Sequence, residues 1–221
     1  MKNLALLISA ALVSTSAAAT GYYTDNKSDV KIKHNSDGNH VSVYQKSPGS
    51  YYGNRSYVTI KYGSDYNDVD VSQHGKKNKS KVYINRNSDY NYVTVDQKGY
   101  RNDSKVYIGY YADYNDVDVY QNGYRNYSNV NIKAGDWNSV YVKQYGNYNY
   151  SDVDILGENA DYNDVTVKQY GNYSKSNVLI DDYYNGSTSY NTVYVKQHTN
   201  DYSNVEITNG SSYNNVYVTQ Y

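Results

Sequence analysis

The chain has no cysteine and no phenylalanine, one proline and one tryptophan among its 221 residues. Without cysteine, neither a disulfide framework nor a thiolate metal centre can form. The four histidines, His34, His40, His74 and His198, are scattered with no second histidine at ligand spacing, so no metal site is expected. Glutamate is almost missing as well. Glu158 and Glu206 stand far apart, and no Ser/His/Asp set or carboxylate pair recurs, so catalysis of the polysaccharide-lyase kind has no constellation to carry it. Beyond the N-terminus there is no apolar run long enough to cross a bilayer. Basic residues number 21 and acidic residues 22, with no basic stripe or tail, so no nucleic-acid partner and no cofactor are expected.

Residues 1–19 read as a secretory signal peptide, with Lys2 as the positive end, Leu4 to Val13 as the apolar core and Ala17, Ala18 and Ala19 as the small-residue cleavage site. A short N-terminal segment, 20–25, then leads into a single repeat domain, 26–221. Tyrosine is abundant, at 34 residues, and the chain is strongly hydrophilic. That average alone would describe a disordered polymer. The spacing of its valines and isoleucines describes something else.

Eight times the string Asn-x-Val-x-Val-x-Gln recurs, starting at Asn39, Asn67, Asn91, Asn115, Asn138, Asn163, Asn191 and Asn214. It closes each time on a glutamine: Gln45, Gln73, Gln97, Gln121, Gln144, Gln169, Gln197 and Gln220. Between the copies lies a second string, near Asn-x-Ser-x-Val-x-Ile. Its asparagines are Asn54, Asn78, Asn102, Asn126 and Asn149, and its closest copies end on Ile84, Ile108, Ile132 and Ile155. Looser copies occupy 174–180 and 201–207, and a first one 26–32. The fixed residues fall on alternate positions, so on a strand Asn, Val, Val and Gln share one face and the variable Asp, Lys, Tyr and Thr share the other.

Two architectures compete for each strand–loop–strand unit. A hairpin pairs the two strands with each other. A β-arch turns them to face each other through side chains, and each strand pairs with its equivalent in the next repeat. Self-similarity favours the arch, because buried Asn and Gln are tolerated only where their amides are satisfied, and identical rows about 4.8 Å apart satisfy them. The predicted fold is an all-β β-solenoid of stacked two-strand β-arch rungs, cross-β in character, with about eight rungs. Gly75, Gly99, Gly123, Gly146 and Gly171 hold the second position of one connection, where a positive φ is expected. The other connection ends in an aromatic residue: Tyr66, Tyr90, Tyr114, Trp137, Tyr162, Tyr190 or Tyr213. Outward lysines at Lys143, Lys168 and Lys196 share one column and are read as solvated. The acidic DYNDVDV strings (65–71 and 113–119) invite calcium, yet they lack the glycine-rich nonapeptide of calcium-binding rolls.

The spacing resembles the curlin repeat of curli fibre subunits, Ser-x5-Gln-x4-Asn-x5-Gln. Asn67, Gln73 and Asn78 match its first three positions with Asn in place of Ser, and so do Asn91, Gln97 and Asn102, Asn115, Gln121 and Asn126, and Asn138, Gln144 and Asn149. The family's second Gln is an isoleucine here, which makes one row aliphatic. The resemblance implies a secreted structural subunit of a curli-like extracellular amyloid fibre, a bacterial functional amyloid that polymerises with itself on the cell surface for biofilm matrix and adhesion. The implied partners are further copies of the chain, a nucleator or other curlin-like subunit, and an outer-membrane export pore of the Gram-negative type. The Asn and Gln rows and the isoleucine row are then the polymerisation core ladders. Alternatives are the minor nucleator of the same fibre and a monomeric solenoid that binds carbohydrate or another surface ligand. The terminal strands, 26–32 and 214–220, read as complementary half-rungs without a cap, open to further pairing.

Overall fold

The computed structural model describes residues 13–14, 26–48, 52–182 and 186–221. The segments read as signal peptide (1–19) and N-terminal segment (20–25) lie outside the described residues, apart from the pair Val13–Ser14. The described residues form two parallel sheets. The first runs β1 (Val13–Ser14), β3 (His40–Lys46), β5 (Asp68–Lys76), β7 (Tyr92–Tyr100), β9 (Asp116–Tyr124), β11 (Ser139–Asn147), β13 (Asp164–Asn172), β15 (Thr192–Gln197), β17 (Asn215–Thr219). The second runs β2 (Lys27–Lys33), β4 (Arg55–Lys61), β6 (Lys79–Asn85), β8 (Asp103–Gly109), β10 (Tyr127–Lys133), β12 (Tyr150–Leu156), β14 (Lys175–Asp181), β16 (Tyr202–Thr208).

Every strand pairs with the strand two places away in sequence and never with its neighbour, which is the arch and excludes the hairpin. Like stands on like. Val69 pairs with Val93, Val93 with Val117, and Gln73, Gln97, Gln121 and Gln144 follow one another in register. The second sheet does the same with Ile60, Ile84, Ile108, Ile132 and Ile155. Between the sheets lies a continuous dry strip in which these isoleucines and the valines from Val58 to Val195 are at most 2% exposed. Burial of three valines and an isoleucine per rung is the main favourable contribution along that strip.

Each rung joins one strand of each sheet, β2 with β3 through to β16 with β17, giving eight rungs. At the two ends β2 is the edge of the second sheet and β17 the edge of the first, and their inward residues Val30, Ile32, Val216 and Val218 are less buried than those of β3 and β16. The amide of Gln45 reaches the Lys27 carbonyl within the first rung, and that of Gln220 reaches the Tyr202 carbonyl within the last. A strand and the one that follows its arch close a rung at one level, and this level is set by side-chain bonds across the core.

One connection proves to be mostly strand. β5, β7, β9, β11 and β13 run through the glycine, so that Gly75, Gly99, Gly123, Gly146 and Gly171 pair in register at φ between 106° and 135°. The turn itself falls on the next residues, where Lys77, Arg101, Arg125, Tyr148 and Tyr173 take left-handed φ of 55–61°. The aromatic that ends the other connection is left-handed too, at 53–60° from Tyr66 to Tyr213. Such backbone is unfavourable for a side-chain-bearing residue, and it is held in place by hydrogen bonds to the same corner in the neighbouring rung. The amide of Tyr90, for example, donates to the Asp65 carbonyl at 3.0 Å.

Candidate assembly site

The first asparagine row is a hydrogen-bonded column. From Asn67 to Asn214, each Nδ2 donates to the Oδ1 of the preceding rung at 3.0–3.1 Å. That same Oδ1 accepts the backbone N–H of the following asparagine at 2.8–3.0 Å. In the first four rungs an Nδ2 hydrogen also goes to a corner carbonyl, from Asn39, Asn67, Asn91 and Asn115 at 2.8–2.9 Å. At Asn67, Asn91 and Asn115 both amide hydrogens and the oxygen are therefore bonded in the core.

The glutamine row runs the other way. Each Nε2, from Gln45 to Gln197, donates to the Oε1 of the following rung at 2.7–3.0 Å. Its other hydrogen crosses the core to a carbonyl at the start of the facing strand, at 2.7–3.1 Å. The glutamines thus tie the two sheets together as well as successive rungs.

Asn54, Asn78, Asn102, Asn126 and Asn149 form the third amide row. Their side chains donate to the carbonyls of Gly75, Gly99, Gly123, Gly146 and Gly171 at 2.8–3.2 Å. The row ends where Ser174 and then Asp201 take the asparagine position; the Ser174 N–H still donates to Asn149 Oδ1 at 3.1 Å.

A column that sequence reasoning missed lies at the aromatic corner. Asp65, Asp89, Asp113, Asp136 and Asp161 stack rung on rung, each accepting the backbone N–H of the preceding rung's aspartate at 2.7–2.8 Å. The signal for it was present as the recurring tripeptides DYN (65–67, 89–91, 113–115, 161–163) and DWN (136–138). Partial burial pushes the Asp89, Asp113, Asp136 and Asp161 carboxyls above the usual carboxylate range, with neighbouring carboxylates, Asp182 in the case of Asp161, adding to the rise. Because their folded pKa lies above the unfolded value, the charged column opposes folding at neutral pH. As pH falls through the raised values toward the ordinary one, the folded state takes up protons first and stability rises. The urea midpoint of the chain should therefore be higher near pH 4.5 than at pH 7, and Asp113→Asn should flatten that difference.

Beside the carboxylates, the rings of Tyr66, Tyr90, Tyr114, Trp137, Tyr162, Tyr190 and Tyr213 form one continuous stack. Successive centroids are 4.2–6.1 Å apart and ring planes lie within 8° of parallel. Ring faces are turned toward each other and ring edges toward solvent, so the stack shields the corner backbone.

A second unexpected column is serine. The Oγ atoms of Ser56, Ser80, Ser104, Ser128, Ser151 and Ser176 are buried and meet no hydrogen-bond partner among the described residues. Alanine at these positions removes a buried hydroxyl that contributes nothing visible to the ladders. Ser104→Ala should therefore leave the unfolding midpoint unchanged or raise it, by at most about 1 kcal/mol; a loss above that would reveal a bond from the hydroxyl.

His40 has its Nδ1 2.7 Å from the Asp68 carboxylate, with Asp70 close by. All three face outward, and the pairing accounts for the raised pKa of His40, since the hydrogen bond to Asp68 favours its charged form. No helix among the described residues is long and apolar enough to cross a membrane.

These features define a parallel β-solenoid whose inner surface is built of amide ladders. The curlin associated repeat matches residues 89–123 and 112–146 of the chain. Comparison with curated proteins and with solved structures returned no match.

Proposed function

We propose that the chain is a secreted subunit of a curli-like extracellular amyloid fibre, that it assembles head to tail with copies of itself, and that the fibre serves biofilm matrix and adhesion. The observation that carries this reading is the opposed direction of the two main amide rows. Among the described residues, the first rung leaves Gln45 Oε1 without a donor and one Asn39 Nδ2 hydrogen without an acceptor. The last rung leaves the converse: a Gln220 Nε2 hydrogen and the Asn214 Oδ1. A second copy stacked head to tail joins Gln220 to Gln45 and Asn39 to Asn214 with every donor meeting an acceptor. Head to head, Gln45 Oε1 would face Gln45 Oε1. The geometry thus supports one polarity, and unlike ends produce open filaments instead of closed pairs.

The end faces support the same reading. Ile32 is 39% exposed, and Val30, Val216 and Val218 are only partly buried, while their interior equivalents are dry. A further rung would cover them. Val13–Ser14 pairs with Val43 and Tyr44 on the edge of β3. These two residues belong to the segment read as signal peptide, and its removal would free that edge in the mature chain, leaving a pairing template.

The test is growth of the purified mature chain (20–221) followed by light scattering and an amyloid-binding dye. A lag phase and filaments are expected, and seeded elongation should slow at least ten-fold in the double variant Gln73→Ala, Asn78→Ala but stay near parental in Asp70→Ala, Lys81→Ala. A chain that stays at single-molecule size, or equal slowing by the inward and outward pairs, would overturn the reading.

A further inference from the structure

The outward faces of the two sheets carry opposite charge gradients along the axis. Consider the four outward positions that begin at His40 on the first sheet and at Lys27 on the second, with their equivalents in each rung. On the first sheet, rungs one to four hold five carboxylates and two lysines, and rungs five to eight hold one carboxylate and three lysines. The net side-chain charge is therefore −3 and then +2, with histidine neutral. On the second sheet, rungs one to four hold eight basic side chains and two carboxylates, and rungs five to eight hold two and four, a net charge of +6 and then −2.

The residues that create the reversal are few. Asp68, Asp70, Asp116 and Asp118 make the first sheet acidic in its early rungs, and Lys143, Lys168 and Lys196 make it basic in the later ones. Asp152, Asp154 and Glu206 do the opposite on the second sheet. None of these side chains is buried. The lysine column is also supported by its surroundings, since Lys168 Nζ lies 5.2 Å from the Tyr194 ring and Lys143 Nζ 5.7 Å from that of Tyr120.

We infer that filaments of this chain associate side by side, the first sheet of one against the second sheet of its neighbour, running in the same direction and in subunit register. The inference rests on the filament reading above. In that register −3 faces +6 and +2 faces −2. A slip of four rungs would set −3 against −2 and +2 against +6, so like charges penalise it. Surface charges of this kind select partner and register more than they add affinity. Contact area comes from the tyrosines that share the faces, such as Tyr141, Tyr194 and Tyr217 on the first sheet and Tyr57, Tyr83 and Tyr107 on the second. Because the two faces differ, each filament can bind one neighbour on either side, and the product is a raft of co-directional filaments.

The experiment is negative-stain electron microscopy of preformed filaments at about 0.01 M and 0.5 M salt, where screening shortens from roughly 30 Å to a few ångströms. The fraction of filaments in rafts should fall at least five-fold at high salt. At low salt, Lys143→Glu, Lys168→Glu, Lys196→Glu should give single filaments, as should Asp152→Lys, Asp154→Lys, Glu206→Lys alone. Combining all six substitutions should restore the rafts. Rafts that are indifferent to the second-sheet triple, as an antiparallel pairing of two first sheets would be, overturn the inference, and so does a six-fold variant that stays single. Both outcomes are read on filaments that have formed; an absence of filaments altogether strikes the filament reading instead.

Discussion

Gly123→Ala should be the most damaging small substitution in the chain, lowering stability by about 4 kcal/mol or more. Gly123 has a φ of 135°, and a Cβ built on it would land on the carbonyl oxygen of Gly146 in the next rung. That oxygen also accepts the Asn126 amide at 2.8 Å. The obstacle is backbone held on both sides by in-register pairing, so no rotamer change relieves it, and moving the strand breaks the bonds on which the third amide row depends. Gly99 meets the carbonyl of Gly123 in the same way. The control is Gly210→Ala. There φ is 80° but the nearest atom to the new Cβ is 3.4 Å away, so only the left-handed backbone term of about 1–2 kcal/mol is expected. Urea unfolding followed by circular dichroism measures both. Equal losses from Gly123→Ala and Gly210→Ala would mean that the interior strands can separate at the glycine without cost. Since each rung touches only its neighbours, the interior substitution should also split the unfolding transition in two.

Gln121→Ala ranks second. It removes the acceptor for Gln97 Nε2, the donor for Gln144 Oε1 and the donor for the Asp103 carbonyl in one step. Each orphaned buried group costs about 1–3 kcal/mol, so a loss of roughly 4–6 kcal/mol is expected. Gln121→Met keeps most of the volume and should recover only the packing share of it. Position decides the readout. Gln220→Ala has no following rung within the chain and should cost less stability than Gln121→Ala. Under the head-to-tail reading it should nevertheless slow seeded elongation at least as much as any interior substitution. An end variant that elongates at the parental rate would place the joint elsewhere.

Much of this architecture is legible from spacing. Period-two alternation identifies the inner face, because successive side chains on a strand must point to opposite sides, and recurrence every 23 to 28 residues identifies the rung. The positive φ of Gly99 and the stacking of Tyr66, Tyr90 and Tyr114 follow from the same regularity. Asp113 and Asp136 did not follow. They are 23 residues apart in the chain and sit in what reads as a loop, yet the in-register corner places one above the other. Ser104 escaped for a different reason: a repeating hydroxyl implies a repeating bond, and the bond is not made.

Composition and period alone determined that Asn, Gln, Val and Ile share one buried face and that like strands must stack on like, since no other arrangement satisfies the amides. They left open which way each amide points and at what level a strand meets the one that follows its arch. Those were decided in three dimensions, where Gln45 reaches across to the Lys27 carbonyl while Asn67 reaches back to Asn39. An amide can donate toward either end of a row with the same local bonding, and only the carbonyls waiting at each corner break the tie.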